Sequence, residues 1–324
     1  MAENNASTPE FRDAFGQALT ELGHAHPRLI FLDADLHTST KATGFKKTFP
    51  DRFIQVGIAE QNLFGIAAGL ALEGYIPVPS TFAAFAARRA LDQIAISICF
   101  PKLNVKIPGS YVGIPTSRAG ASHNSIEDLA VMRALPHLRV ADPGTNAELR
   151  AVMRAAIETP GPVYFRVARY AVPELFGPSH VFEWGRGYRL REGTDVTLFG
   201  TGLMTHFCLA AADLLAGEGL AAEVVHLASI KPIDRALILA SVQKTGCAVT
   251  AENASVIGGF GDAVTEVLAD GYPVPVRRVG VRDRFVESGG IDELFARHHM
   301  TPADIAAAAR SVIERKFTRE TVVV

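Results

Sequence analysis

The stretch Phe53-Ile-Gln-Val-Gly-Ile-Ala-Glu-Gln-Asn-Leu-Phe-Gly-Ile-Ala-Ala-Gly-Leu-Ala-Leu72 sets a short apolar run, Phe53 to Val56, directly before a longer one. The first run is short and leads straight into the second. From Ile58 to Leu72 small and aliphatic residues recur on almost every face, a pattern that predicts a helix buried all round. Upstream, Arg28-Leu-Ile-Phe-Leu-Asp33 reads as a buried strand with a polar loop, Ala34 to Thr43, at its carboxyl end, where α/β proteins commonly hold ligands. Before it, Ser7-Thr8-Pro9-Glu10 supplies a capping side chain, a first-turn proline and an acid three residues after Ser7. A helix is expected from there to about Leu22.

The same alternation continues downstream. Strands are expected at Tyr75 to Val78, Leu103 to Ile107, Leu138 to Ala141 and Val163 to Val167, and helices at Phe82 to Ile98, Ile126 to Ala134 and Ala147 to Ile157. A long glycine-containing loop, Pro108 to Asn124, interrupts them, and such loops in compact domains are usually functional. The order predicts an α/β fold, a mostly parallel sheet with helices on both faces. From Tyr170 to Gly193 the periodicity gives way to Pro, Gly and charged residues; it restarts with strands at Val196 to Phe199, Ala222 to Leu227, Gly246 to Thr250 and Val274 to Val279. This divides the chain into a first domain over 1–175, a linker over 176–193 and a second, smaller α/β domain over 194–324. The tail from Thr318 to Val324 is expected to fray.

At 324 residues, two domains are the default expectation. Thirty-two Lys and Arg against thirty-four Asp and Glu leave a net charge of -2, so no global basic field draws nucleic acid or anionic lipid. Cys99, Cys208 and Cys247 are odd in number and far apart, which argues against a disulfide framework or a structural zinc site and fits a cytoplasmic chain. No targeting signal is apparent, and the longest apolar stretch, Leu63 to Leu72, is too short to span a bilayer.

Several residues stand out chemically. Glu60 is an ionisable carboxyl at the start of the apolar helix, either a proton-exchanging group in a desolvated place or a first-turn acid complementing the helix dipole. Phe82 and Phe85 make either a flat platform for an aromatic ligand or ordinary core. His123, in Ser117-Arg-Ala-Gly-Ala-Ser-His-Asn124, can donate to a developing oxyanion or relay a proton, or is a plain loop residue. Arg12, Ser39 and Arg169 each fall near a strand or helix end, positions suited to anion recognition or to solvated surface. Ile257-Gly-Gly-Phe-Gly261 opens a helix after a strand and reads as a packing turn rather than a phosphate loop. His24/His26 and His298/His299 lack the nearby carboxylates of a metal site, and no metal ligand is assigned in this chain.

Taken together, Phe31-Leu-Asp-Ala-Asp-Leu36, Phe53 to Asn62, Ser80-Thr-Phe-Ala-Ala-Phe85, Pro101-Lys-Leu-Asn-Val-Lys106, Gly120-Ala-Ser-His-Asn-Ser-Ile-Glu-Asp128 and Gly161-Pro-Val-Tyr-Phe-Arg166 resemble the C-terminal half of a transketolase. The resemblance is closer still to the small subunit of split bacterial transketolases, and it covers about Thr8 to Arg315. It implies a pyrimidine-binding domain followed by the family's C-terminal domain. It also implies thiamine diphosphate at a subunit interface, with Glu60 bonding N1' of the aminopyrimidine, Phe82 and Phe85 flanking the ring, and Asp35 lining the thiazolium side. His123 would contact the donor ketose, and Arg12, Ser39 and Arg169 would bind the sugar phosphate.

Three positions depart from the family pattern. Tyr111 stands where a phosphate-binding histidine falls, Ala119 where an aspartate reads a substrate hydroxyl, and Arg118 where split subunits carry an acid. Nothing here resembles the Gly-Asp-Gly motif that binds magnesium and the diphosphate. The resemblance therefore implies an obligate partner, an N-terminal transketolase subunit that carries that domain and most of the Mg2+ ligands, in an α2β2 assembly. The implied activity is transfer of a two-carbon ketol unit from a ketose phosphate to an aldehyde. The alternatives are a thiamine-dependent decarboxylating subunit, like a 2-oxoacid dehydrogenase beta chain or a deoxyxylulose phosphate synthase, and a catalytically silent interaction subunit.

Overall fold

The computed structural model describes residues 9–177 and 179–322. The first half opens with helix α1 (Phe11–Ala25), strand β1 (Leu29–Asp33), helix α2 (Thr43–Thr48) and strand β2 (Phe53–Gln55). Helix α3 (Glu60–Leu72), strand β3 (Ile76–Phe82), helix α4 (Ala83–Arg89), a π-helical turn over Gln93–Cys99 and strand β4 (Lys106–Ser110) follow. Helix α5 (Asp128–Ala134), strand β5 (Arg139–Ala141), helix α6 (Asn146–Glu158) and strand β6 (Val163–Val167) complete it. The second half runs β7 (Tyr188–Arg191), β8 (Val196–Gly200), α7 (Met204–Ala216), β9 (Ala222–His226), β10 (Ser229–Lys231), α8 (Arg235–Thr245), β11 (Ala248–Ser255), α9 (Phe260–Gly271), β12 (Val276–Val281), α10 (Ile291–Arg297) and α11 (Pro302–Val322).

Among the described residues these strands form two sheets. The first has the order β10-β5-β6-β4-β3-β1-β2 and the second β12-β11-β8-β9-β7. Pairing is parallel except at the edges, where β10 runs antiparallel to β5 and β7 antiparallel to β9. β1, β4, β6, β8 and β9 are buried along their whole lengths, as expected of parallel strands covered on both faces. Each large aliphatic or aromatic side chain so buried contributes about 1.5–3 kcal/mol.

Several sequence expectations shift. Helix α1 is capped by Glu10, whose carboxylate accepts the Asp13 backbone N–H while Asp13 reaches back to the Glu10 N–H; Ser7 and Thr8, expected to cap it, lie outside the described residues. α3 is not buried all round, since Gln61, Asn62, Gly65, Gly69 and Leu72 leave one face open. The helix expected from Phe82 to Ile98 breaks at Ala90, the cap of α4, into two pieces. The segment expected to be a linker is pinned down. Phe182 is buried, Trp184 donates from its indole to Thr159 Oγ1 at 3.0 Å, and residues 188–191 form an edge strand. The tail expected to fray from Thr318 is helical through Val322, and residues 323–324 lie outside the described residues. Cys99, Cys208 and Cys247 are buried and free. Among the described residues no helix is long and apolar enough to cross a membrane.

Candidate active site

In a parallel sheet the loop that follows each strand lies at the carboxyl edge, where α/β proteins bind ligands. Here Ser39 follows β1, Glu60 follows β2, Phe82 ends β3, Tyr111 follows β4 and Arg169 follows β6. Helix α1 brings Arg12 to the same edge, its first residue held by the bond from Phe11 N to Tyr170 O at 3.1 Å. Gly16 makes this approach possible, because a Cβ there would collide with the carbonyl oxygen of Lys41, two residues past Ser39.

The centre is a stack of rings. Tyr111 lies 4.2 Å from Phe82, centroid to centroid, Phe82 lies 5.6 Å from Phe85, and His123 stands edge-on to both at 5.9 and 5.2 Å. Leu36 packs against the same rings. On one side of the stack Arg12 Nη1 donates to the Tyr111 hydroxyl at 2.9 Å and to Ser39 O at 3.4 Å, and the Arg169 guanidinium sits 5.5 Å from the Tyr111 ring centre. The cationic pair and the phenol ring attract each other through the ring quadrupole.

On the other side is a contact that sequence reasoning missed. Arg89 Nη1 donates to Glu60 Oε1 at 2.9 Å while its guanidinium lies 3.9 Å over the Phe85 ring. Glu60 is 5% exposed and Arg89 49%, so a buried carboxylate is paired with a half-free arginine. The signal was available: Arg89 follows Phe85 by four residues on one helix, the spacing at which side chains meet.

The His123 loop is braced from three directions. Arg88 donates to Ala121 O at 3.1 Å and Asn124 O at 2.9 Å and pairs with Glu127. Asn253, from β11, accepts from Ile114 N at 2.8 Å beneath Gly113, whose φ of 60° and close approach to Asn253 leave no room for a side chain. Ser117 Oγ donates to Gly289 O at 2.8 Å. His123 itself is half-buried, with Nδ1 2.8 Å from Ser122 Oγ.

The structure thus brings Arg12, Ser39, Phe82, Phe85, His123 and Arg169 together around Tyr111, with Glu60 joined to them through Arg89. Asp35 is not in that contact set. It is exposed, in the left-handed region at φ 62°, with its N–H donating to Gln55 Oε1 at 3.0 Å. Arg118 and Ala119 are exposed as well. Beneath them a buried Asp33 carboxylate accepts from Gln55 Nε2 at 2.7 Å and the Leu36 N–H at 3.1 Å and bonds His37 Nδ1 at 3.1 Å, fixing the loop that carries Asp35 and Ser39. The glycine-rich turn at 257–261 is structural: Glu252 accepts both the Phe260 and Gly261 N–H groups, so the helix terminus is already satisfied.

Residues 7–174 match the pyrimidine-binding domain of transketolase, and residues 185–305 match the transketolase C-terminal domain. The chain belongs to the transketolase family. It is 44% identical over 308 residues to the 6-deoxy-6-sulfo-D-fructose transketolase subunit SqwH of Clostridium sp. (strain MSTE9), a match covering 95% of this chain and 96% of that one. A solved split gene transketolase, an inactive beta4 tetramer, superposes with a TM-score of 0.89 and 51% identity, covering 94% of this chain and 99% of that one. The 1-deoxy-D-xylulose-5-phosphate synthase of Thermomicrobium roseum (strain ATCC 27502 / DSM 5159 / P-2) is 38% identical over 284 residues, 86% of this chain but 45% of that one. The chain therefore corresponds to the small subunit of a split transketolase, and thiamine diphosphate is the cofactor of its family.

The residues present fit that cofactor. Between Glu60 and Phe85 lies a place already filled by a flat, delocalised group that stacks on the ring and offers a nitrogen-borne hydrogen to the carboxylate. An aminopyrimidine is a group of the same kind.

Proposed function

We propose that this chain is the small subunit of an enzyme that moves a two-carbon ketol unit from an anionic ketose to an aldehyde acceptor, active only with a large subunit that carries the diphosphate-binding domain and most of the magnesium ligands, in an α2β2 assembly. The observation that carries the reading is the Glu60–Arg89–Phe85 arrangement, a buried carboxylate beside an aromatic face at the carboxyl edge of the sheet. When bound, thiamine diphosphate supplies the carbon nucleophile and the electron sink. Glu60 Oε1 bonds the pyrimidine ring nitrogen and governs its protonation, and Phe82 and Phe85 flank the ring. For the pyrimidine to lie on Phe85, Arg89 swings aside, which its half-free side chain permits.

His123, edge-on to both phenylalanines, faces the substrate carbonyl and moves a proton at its oxygen. Arg12, Ser39 and Arg169 hold the substrate's anionic end, and Asp35 lines the thiazolium side on the loop fixed by Asp33. The division near residue 175 belongs to this reading, with β7 at Tyr188–Arg191 counted in the second sheet and the second domain bracing the His123 loop through Asn253 and Gly289.

The test is a calorimetric titration of thiamine diphosphate with magnesium into the purified chain, alone and co-expressed with candidate large subunits. Binding only in the complex, followed by ketol transfer to an aldehyde, supports the proposal; tight binding by the isolated chain overturns the split site. Likeness to the deoxyxylulose phosphate synthase favours a second reading, a decarboxylating subunit, and release of carbon dioxide from pyruvate by the complex would establish it.

A further inference from the structure

The charge around Tyr111 is smaller than the two arginines suggest. Arg12 is paired through Nε to Glu10 Oε2 at 2.5 Å, so one of its neighbours already carries a negative charge. The next pair, Asp13 with Lys41 at 3.4 Å, cancels itself. Arg169 and Arg12 together with Glu10 leave one positive charge in excess, and Tyr111 adds none, because a phenol is a neutral donor and acceptor. His123 meets the stack edge-on at Phe82 and Phe85, 5.9 and 5.2 Å away, whereas Arg12 and Arg169 lie over the Tyr111 ring.

The Tyr111 hydroxyl is also poised to donate. Its lone pair takes the Arg12 N–H at 2.9 Å, while its own hydrogen reaches Ser39 O only at 3.5 Å, longer than a good O–H···O bond. That hydrogen is available to a closer acceptor. The residue cannot drift, since its N–H donates to Val167 O at 3.0 Å, its carbonyl accepts from Thr116 Oγ1 at 2.7 Å, and its ring is stacked on Phe82.

We infer that Tyr111, with Arg12 and Arg169, selects a substrate whose far end is a singly charged tetrahedral oxyanion, a sulfonate in preference to a phosphate dianion. Tyr111 is the specificity-determining residue. The guanidinium groups give charge-assisted bonds to any oxyanion, but a cradle with one excess charge leaves a dianion half-compensated and matches a monoanion. A phosphate monoester loses its second proton near about pH 6 and is mostly dianionic above it, whereas a sulfonate keeps one charge throughout. The inference rests on the proposed placement of the substrate's anionic end at Arg12, Ser39 and Arg169.

The experiment is calorimetric titration of the assembled two-subunit complex, loaded with thiamine diphosphate and magnesium, with a ketohexose sulfonated at C6 and the same sugar phosphorylated at C6, from pH 6 to pH 8.5. At pH 8 the sulfonate is expected to bind about tenfold more tightly, its affinity flat with pH, while the phosphate gains affinity as pH falls toward 6. Tyr111→Phe, which keeps the ring on Phe82, is expected to weaken sulfonate binding about tenfold, the loss of one hydrogen bond to a charged group, and to leave an uncharged short ketose unaffected. Tyr111→His is expected to shift preference toward the phosphate. Tighter phosphate than sulfonate binding at pH 8, or unchanged affinities in Tyr111→Phe, overturns the inference. The readout is binding, so a complex that shows this selectivity but transfers no ketol unit overturns the proposed function alone. A complex that transfers ketol units best from the phosphate at pH 8 overturns the inference alone.

Discussion

Replacing Arg89 with alanine should tighten thiamine diphosphate binding, although it removes a charge beside an anionic cofactor. In the structure the Arg89 guanidinium bonds Glu60 at 2.9 Å and lies 3.9 Å over Phe85, the carboxylate and the ring that the pyrimidine needs. Because Arg89 is 49% exposed, its ion pair is discounted to about 0.2–1 kcal/mol. Its stacking on Phe85 at an exposed site adds about 0.5–1 kcal/mol. Vacating the place therefore costs about 1–2 kcal/mol, and removing that cost corresponds to about 5- to 30-fold higher affinity. The assay is titration of the cofactor, at saturating magnesium, into the assembled apo complex of wild type and variant. Arg89→Lys, which keeps the charge but loses the flat face, should fall between the two. An affinity that is unchanged or weaker in Arg89→Ala would mean that the arginine does not stand in the pyrimidine's place, and the reasoning fails.

Three further outcomes are expected. Glu60→Ala should lower ketol transfer by about 10²–10⁴-fold, the range for a lost proton-transfer group, with assembly intact by native mass measurement; turnover near wild type would point to a different carboxylate. Arg166 is buried, binds Asp128 at 2.8 Å and Asp142 at 3.1 Å, and donates across to Asn253 O at 3.0 Å. Arg166→Met strands two buried carboxylates and should cost about 3–5 kcal/mol in urea unfolding, a loss below about 1 kcal/mol refuting the network's role. Burial pushes the Glu252 carboxyl up from 4.5 to about 7, against the two backbone N–H groups it accepts. The folded state thus binds this proton more tightly than the unfolded chain, so the group's stabilisation is full below pH 4.5 and is lost as pH rises to about 7, at most about 3 kcal/mol. Glu252→Gln should lose that slope in pH-dependent denaturation, and an identical slope in the variant would contradict it.

The sheet was legible where strands are continuous apolar runs, as at Leu29–Asp33 and Val163–Val167, and less so elsewhere for identifiable reasons. β3 reads only to Val78 because Pro79, the second proline in three residues after Pro77, looks like a breaker. Both prolines are tolerated because β4 pairs with β3 only at Thr81 and Phe82, so along the prolines β3 has β1 as its strand neighbour. β10 is Ser-Ile-Lys, too short to carry a pattern of its own, and its pairing is set by where the second half lies. The open face of α3 reads as buried because glycines and alanines look the same in a helical pattern whether a neighbour covers them or not. At the site, residue types were readable one by one, but their meeting was not, since Arg12, Ser39, Glu60, Phe82, Tyr111 and Arg169 come from loops and ends of different elements. The Glu60–Arg89 pair spans 29 residues, and no local rule connects them.

Strand β10 also bears on how this chain can be cut, fused or shuffled. It leaves the second half to close the edge of the first sheet, pairing Ser229 with Ala141 and Lys231 with Val140. A fragment ending near residue 193 would bare β5, a row of unsatisfied amides that invites other strands. The halves are therefore not interchangeable modules on a tether. A chimera that borrows its second half from a relative must borrow a matching β10, or it will be sticky before it is inactive.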